Sequence, residues 1–415
     1  MAIRKPWAHA LAAATLLLSS GVSRADAVTD WNQTALNATH VTAAFAGGAI
    51  YQVRVLAHMH TAIFDTVNAI DRQYTPYSVD LKALPGTSID AAVASAAHAV
   101  LFAEAPAQRA AVDRALAAAL GKVPEGPGKS DGVALGKQVA EKLLAVWAND
   151  GVTDSAVFQI PPAGRGVWQQ TPQWGVPILY SWRQVKPMAI KDARAYDIGG
   201  PPALTSERFA RDYNEIKSLG GRHSTARTSE QLAVASYWTV QTMIPWNKAA
   251  QAASRARNLS VTENARLFAL LNIAAHDTQI VAMEQKYRYN FWRPYTAIRY
   301  PGGPGHPALT SDPNWEPVIN TPGHQDYPSG HCTTSGGALG VLLAFFPDDK
   351  VNVTDTHMPL LGINRSWTSF TQMAKEVEDA RVWAGIHFRA ADEDGTKMGR
   401  KVGEDTVATL LRPLQ

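Results

Sequence analysis

The sequence predicts an all-α fold: a large helical bundle carrying long, ordered, proline-rich loops. Three observations predict it. Apolar residues recur with the helical period over most of the chain. Helix-start signals stand ahead of those stretches: Ser88, Thr228 and Ser260 are suited to N-caps, and Ser260 with Glu263 reads as a capping box. The hydrophobic share, 46%, supports a large core, and no linker, repeat, low-complexity tract or charge block divides the 415 residues.

In order, the pattern places helices over 30–46, 49–72, 88–105, 106–121, 129–149, 205–218, 228–242, 246–257, 261–292, 332–346, 366–384 and 391–411. Alanine-rich faces such as AAVASAAHAVLFA allow close helix contacts. Residues 151–203 break the period with seven prolines, but carry Trp168, Trp174 and Trp182. Such aromatic anchors predict a loop wrapped on the bundle. A second Pro/Gly-rich loop, 300–327, leads into the segment discussed below.

Residues 1–27 read as a secretory signal: Arg4 and Lys5, a short apolar run, then the small-x-small site Ala25-Asp-Ala27. Residues 28–415 then form one helical domain, secreted or periplasmic, with an anion-site core at 262–411. No later stretch is apolar enough to span a membrane. The net charge is +3, of which the signal holds +2, so nothing favours nucleic acid or a polybasic membrane surface. The lone cysteine, Cys332, has no internal disulfide partner and reads as a small apolar residue. The sequence sets no oligomeric state and leaves a homo-oligomer open.

The chemistry is concentrated between Lys286 and His387. In KYRYNFWRP, Lys286 and Arg293 are seven residues apart, which returns to nearly one face of a helix about 10 Å further along. In YPSGH, Ser329, Gly330 and His331 precede an apolar run, so they sit at a helix N-terminus, where free N–H groups favour an anion. In ARVWAGIH, Arg381 offers a planar fork of donors, Gly385 suits a helix end, and His387 follows. Each part alone is ordinary, since most helical Lys and Arg simply face solvent. Together, three cations, a hydroxyl, a glycine amide and two imidazoles can surround one oxyanion. His58 and His60, two apart in LAHMHTAIFDTV, do not share a helix face and make a poor metal pair. Asp277 is expected either to meet Arg381 from another helix or to serve some other group in the core.

The three segments resemble the superfamily of vanadium-dependent haloperoxidases and type 2 phosphatidic-acid phosphatases. Its signature is Lys, six residues, Arg-Pro; then Pro-Ser-Gly-His; then Arg, five residues, His. The gaps here are 33 residues (Pro294 to Pro328) and 49 residues (His331 to Arg381). FWRPYTAIR and ARVWAGIHFR look most like the bacterial haloperoxidase branch. Upstream, DWNQTALNA, LAHMHTAIFDTVNAID and GVWQQTP still resemble it.

The resemblance implies a vanadate cofactor and small-molecule substrates: hydrogen peroxide, halide and an organic acceptor. It implies His387 as the direct metal ligand, His331 as general acid/base, and Lys286, Arg293, Ser329, Gly330 and Arg381 as holders of the remaining oxygens. The alternative is an acid phosphatase with His387 as nucleophile and His331 as acid. His324, five before Ser329, matches a histidine of the bromoperoxidases. The family's aspartate four positions after the last histidine is replaced here by Ala391, with Asp392 one later. A missing carboxylate weakens a nucleophilic His387 more than a ligating one. His324, Asp277 and Asp392 are thus the expected second layer.

Overall fold

The computed structural model describes residues 26–42, 48–152, 156–172, 174, 176–239, 242–356 and 362–414. An upstream group comprises α1 (Ala27–Thr42), α2 (Ala49–Asp71), α3 (Ile89–Glu104), α4 (Arg109–Leu120) and α5 (Pro127–Trp147). After the proline-rich loop come α6 (Glu207–Leu219), α7 (Ser229–Tyr237), α8 (Met243–Arg257), α9 (Val261–Tyr289) and the short α10 (Pro294–Arg299). The chain closes with α11 (Gly330–Phe345), a hairpin of β1 (Lys350–Thr356) and β2 (Asn364–Ser369), α12 (Phe370–Trp383) and α13 (Arg389–Thr409).

Helices α2, α9 and α11 are the inner elements. From Leu267 to Tyr287, α9 is buried on every face, so its sequence carries little amphipathic contrast. α11 and α13 pack backbone to backbone through glycines. A Cβ at Gly399 would lie 1.8 Å from Thr333 O, and one at Gly336 would lie 2.3 Å from Thr396 O. GGALG on α11 and the glycines of α13 therefore set how deep the N-terminus of α11 sits.

The expected N-caps form: Ser88, Thr228 and Ser260 each accept a backbone N–H, and the Ser260–Glu263 capping box is complete. The loop after α5 is held by buried Trp168 and Trp182. Trp174 is not an anchor, being 39% exposed.

Three expectations are corrected. The helix expected over 261–292 stops at Tyr289, because Asn290 adopts the left-handed conformation and accepts the C-cap role. Lys286 and Arg293 are therefore not on one helix: Arg293 is the N-cap of α10, with Pro294 in the first turn. The helix expected from 366 begins at Phe370, since 364–369 is the second strand of an antiparallel hairpin. KVNVTDT alternates exposed and buried residues, the period-two pattern of a strand. The expected secretory signal lies almost wholly outside the described residues. Among the described residues, no helix is long and apolar enough to cross a membrane.

Candidate functional site

Four elements converge. The C-terminal turn of α9 presents Lys286, whose Nζ donates to Gln325 O (2.8 Å) and Asp326 O (3.0 Å). The N-cap of α10 presents Arg293, whose Nε donates to His324 O (2.8 Å) and Nη1 to Ile386 O (2.6 Å). The N-terminus of α11 supplies Ser329, Gly330 and His331. α12 supplies Arg381, whose Nη1 donates to Trp238 O (2.6 Å). Gly385, at φ +82°, then turns the chain against Gly220, where a Cβ would lie 2.2 Å from the carbonyl oxygen. That tight turn places His387 beside Arg293, with Nη1 2.9 Å from Nε2.

One pocket is lined by Gly330, His331, Arg381, His387, His324, Gln279 and Thr242, together with Ala49, Ile50, Leu179, Met283 and Pro322. Lys286, Arg293 and Ser329 stand fully buried behind this wall. All seven residues expected from the sequence are thus brought together, although through different elements than the spacing suggested.

The electrostatics run one way. Burial, reinforced by Arg293, holds Lys286 well below the usual lysine range. Arg293 and Arg381 are pulled down to about 10, again chiefly by burial. His331 and His387 are held well below the usual histidine value by enclosure and the neighbouring cations, and His324 likewise. Each group is pressed to shed positive charge, and a bound anion would reverse each pressure.

His387 has a defined tautomer. Its Nε2 faces a guanidinium donor and so accepts; Nδ1 therefore carries the hydrogen. Nδ1 lies 3.1 Å from Asp326 Oδ1. The contact is close but bent, and neither atom completes a well-aligned hydrogen bond. Asp326 is pushed up to about 7 by burial, against the opposing pull of Arg293 and Lys286.

The expected second layer is partly corrected. The carboxylate against His387 is Asp326, not Asp392. Asp392 is buried beneath the N-terminus of α11, where it accepts from Cys332 Sγ (3.3 Å). Ser329 Oγ approaches it without forming an aligned bond. Asp277 does not meet Arg381; it accepts the amides of Met188, Ala189 and Ile190 and fastens the proline-rich loop to α9. His324 lines the pocket as expected, with Nδ1 3.0 Å from Arg293 Nη2. The sequence reasoning missed Asp326, although it stands in HQDYPSGH three residues before Ser329. Because a carboxylate does face His387, its absence at 391 no longer argues against a nucleophilic histidine.

The donor set fits a tetrahedral oxyanion such as vanadate. Ser329 Oγ, His331 Nε2 and Arg381 Nε are buried and lack an internal hydrogen-bond partner. Polar atoms seldom stay unpaired unless they serve a ligand or water. Among the described residues, no cluster of His, Cys, Asp and Glu forms a separate metal site.

Comparison with known proteins bears on the fold and the family resemblance. Residues 266–415 match the family described as the VCPO second helical-bundle domain. The vanadium chloroperoxidase of Curvularia inaequalis is 35% identical over 92 residues, covering 20% of this chain and 14% of that protein. The match therefore spans a small part of the curated relative. The crystal structure of the first bacterial vanadium-dependent iodoperoxidase superposes with a TM-score of 0.80 at 24% identity, covering 93% of this chain and 98% of that one. A holo-type bacterial vanadium-dependent chloroperoxidase gives 0.74 at 17% identity, covering 94% and 98%. The chain has the helical fold of the vanadium haloperoxidases, and its residues 266–415 resemble the second helical-bundle domain described for that group.

Proposed function

We propose that the chain is a vanadate-dependent haloperoxidase that oxidises halide with hydrogen peroxide, and that it works after export. The observation that carries this reading is the convergence of Lys286, Arg293, Arg381 and the N-terminus of α11 on His387, whose Nε2 carries a lone pair. Three fixed cations and backbone amides offset the charge of an oxyanion in an enclosed site, where such donors act strongly. Lys286, Arg293, Ser329, Gly330 and Arg381 would hold the oxygens, and His387 Nε2 would be the protein ligand to the metal. Bound vanadate supplies Lewis-acid polarisation of peroxide.

The chain's own residues do the rest. Arg293 releases His387 Nε2 when it turns to the anion. Asp326 keeps the hydrogen on Nδ1, so that Nε2 remains a donor of electrons. His331, held neutral, can take a proton from peroxide at Nε2 and return it to the departing oxygen.

The two histidines separate in an experiment. His387→Ala should abolish bromide oxidation and weaken vanadate retention. His331→Ala should keep much of the affinity and lose about 10² to 10⁴-fold in turnover. Covalent phosphate on His387 after incubation with a phosphate ester, without any bromide oxidation, would assign the site to a phosphatase instead.

A further inference from the structure

We infer that Met283 is a modification site: when nothing else consumes the hypohalous acid made in this pocket, the oxidant converts the Met283 thioether to the sulfoxide and slows further turnover. The inference rests on the haloperoxidase reading above. Met283 lies on α9, four residues after Gln279 and three before Lys286, so the three side chains follow one helix face. Gln279 and Met283 line the pocket together with His331, Arg381 and His387. Lys286 is fully buried.

Among the described residues, Met283 is the one methionine that lines this pocket. It is only 2% exposed, so the pocket is its route to an oxidant. Met188 is more exposed, at 9%, but does not line the pocket. Met59, Met243, Met373 and Met398 are at most 1% exposed and do not line it either. An oxidant arriving from bulk solvent therefore meets Met188 first, whereas one formed inside the pocket meets Met283 first.

The thioether is the strongest nucleophile on this wall. Imidazole nitrogens react with hypohalous acid more slowly, and the N-halo product passes its halogen on. Cys332 carries a better nucleophile, but it is fully buried, donates to Asp392 (3.3 Å) and does not line the pocket. Met283 also belongs to an apolar cluster with Ile50 of α2, Trp182 of the proline-rich loop and Tyr287. Oxidation turns this flexible apolar side chain into a polar one. An oxygen set into that cluster is an acceptor without a donor. The packing that holds this face of α9, and Lys286 one turn on, is loosened as a result.

The chemistry balances. Halide, peroxide and a proton give hypohalous acid and water. A sulfur lone pair then takes the halogen, the oxygen–halogen bond breaks, and hydroxide leaves. Water adds to the halosulfonium sulfur, and halide departs with the sulfur–halogen electron pair. Of the two protons released, one neutralises the hydroxide and the other replaces the proton first consumed. Sulfur loses two electrons and the halogen gains them, so halide is returned and one peroxide is spent for each sulfoxide.

The test gives the vanadate-loaded protein peroxide and bromide, with excess serum albumin, too large for the pocket, to intercept released oxidant. The tryptic peptide Leu267–Lys286, whose sole methionine is Met283, is followed by mass. It should gain one oxygen while the peptide carrying Met188 stays unmodified, and omitting bromide should leave both unmodified. Met283→Leu, close in volume, should keep the initial rate of triiodide formation within about twofold and slow its decline about threefold or more. Bromide oxidation with Met283 unmodified, or with Met188 oxidised first, overturns the site, and an unchanged decline in Met283→Leu overturns its hold on turnover. Reagent hypobromous acid, added to the phosphate-loaded protein without albumin, should instead oxidise Met188 first and Met283 next, ahead of Met59, Met243, Met373 and Met398. That order, with no bromide oxidation on vanadate, keeps Met283 as the reachable pocket thioether and overturns the haloperoxidase reading. Met283 no more reactive to the reagent than those enclosed methionines overturns the site itself.

Discussion

Replacing Asp326 by asparagine tests what orients His387. The carboxylate and the imidazole are both at most 2% exposed, and Oδ1 lies 3.1 Å from Nδ1. The same carboxylate also lies near the backbone N–H of Phe388, next in the chain to His387, without completing an aligned bond. Asparagine keeps the shape but has one acceptor oxygen for these two donors, and its amide hydrogens face the other. Loss of such an orienting partner typically costs about 10- to 100-fold in metal affinity or activity, or about 1.4–2.7 kcal/mol. Titration calorimetry with vanadate should show that loss. Thermal unfolding should show a folded protein, because the substitution also removes a buried carboxylate that burial already presses toward its neutral form. Asp392→Asn serves as the contrast: it alters the packing beneath α11 and should leave the affinity within about threefold, since Asp392 bonds to Cys332 and the carboxylate paired with His387 is Asp326. Unchanged affinity in Asp326→Asn, or a larger loss in Asp392→Asn, would refute the reasoning.

Arg293→Ala and Arg381→Ala should each weaken vanadate or phosphate binding about ten- to a hundredfold, the loss of one charge-assisted contact of about 1.5–3 kcal/mol, and unchanged calorimetric affinity in both would break the convergence argument. Burial lowers His60 to about 3, below its unfolded value near 6.5, so its contribution to stability is present above 6.5 and lost as pH falls toward 3. The stability difference between wild type and His60→Asn, read from urea unfolding, should therefore shrink as pH falls from about 6.5 to about 4. Export processing should cut after Ala27, at the small-x-small site Ala25-Asp-Ala27, and N-terminal sequencing that finds a secreted chain beginning at Met1 would count against it.

Much of this site was legible before the fold. The seven residues expected to surround an anion stand in short segments whose spacing is visible in the chain, and the helix N-terminus at Ser329 follows from the apolar run behind it. What the spacing misjudged was the route. Lys286 and Arg293 meet across a helix break, because Asn290 tolerates the left-handed conformation and the helical period gives no sign of it. The hairpin at 350–369 was hidden because a seven-residue alternation is short beside the helical pattern around it. Asp326 was overlooked for a different reason. The expected carboxylate was sought along the helix after His387, whereas the fold brings one from the loop before α11. Asp277 shows the limit of period arguments: its three amide donors come from a loop nearly ninety residues upstream.

Bromide oxidation by the metal-free protein during a vanadate titration tests the central claim most directly. The chain is dialysed against chelator and phosphate, then given peroxide, bromide and rising vanadate. The account predicts no bromination at the start and a saturable rise with vanadate, absent in His387→Ala. No bromination at any vanadate concentration, together with release of phosphate from an ester that vanadate inhibits, would contradict it.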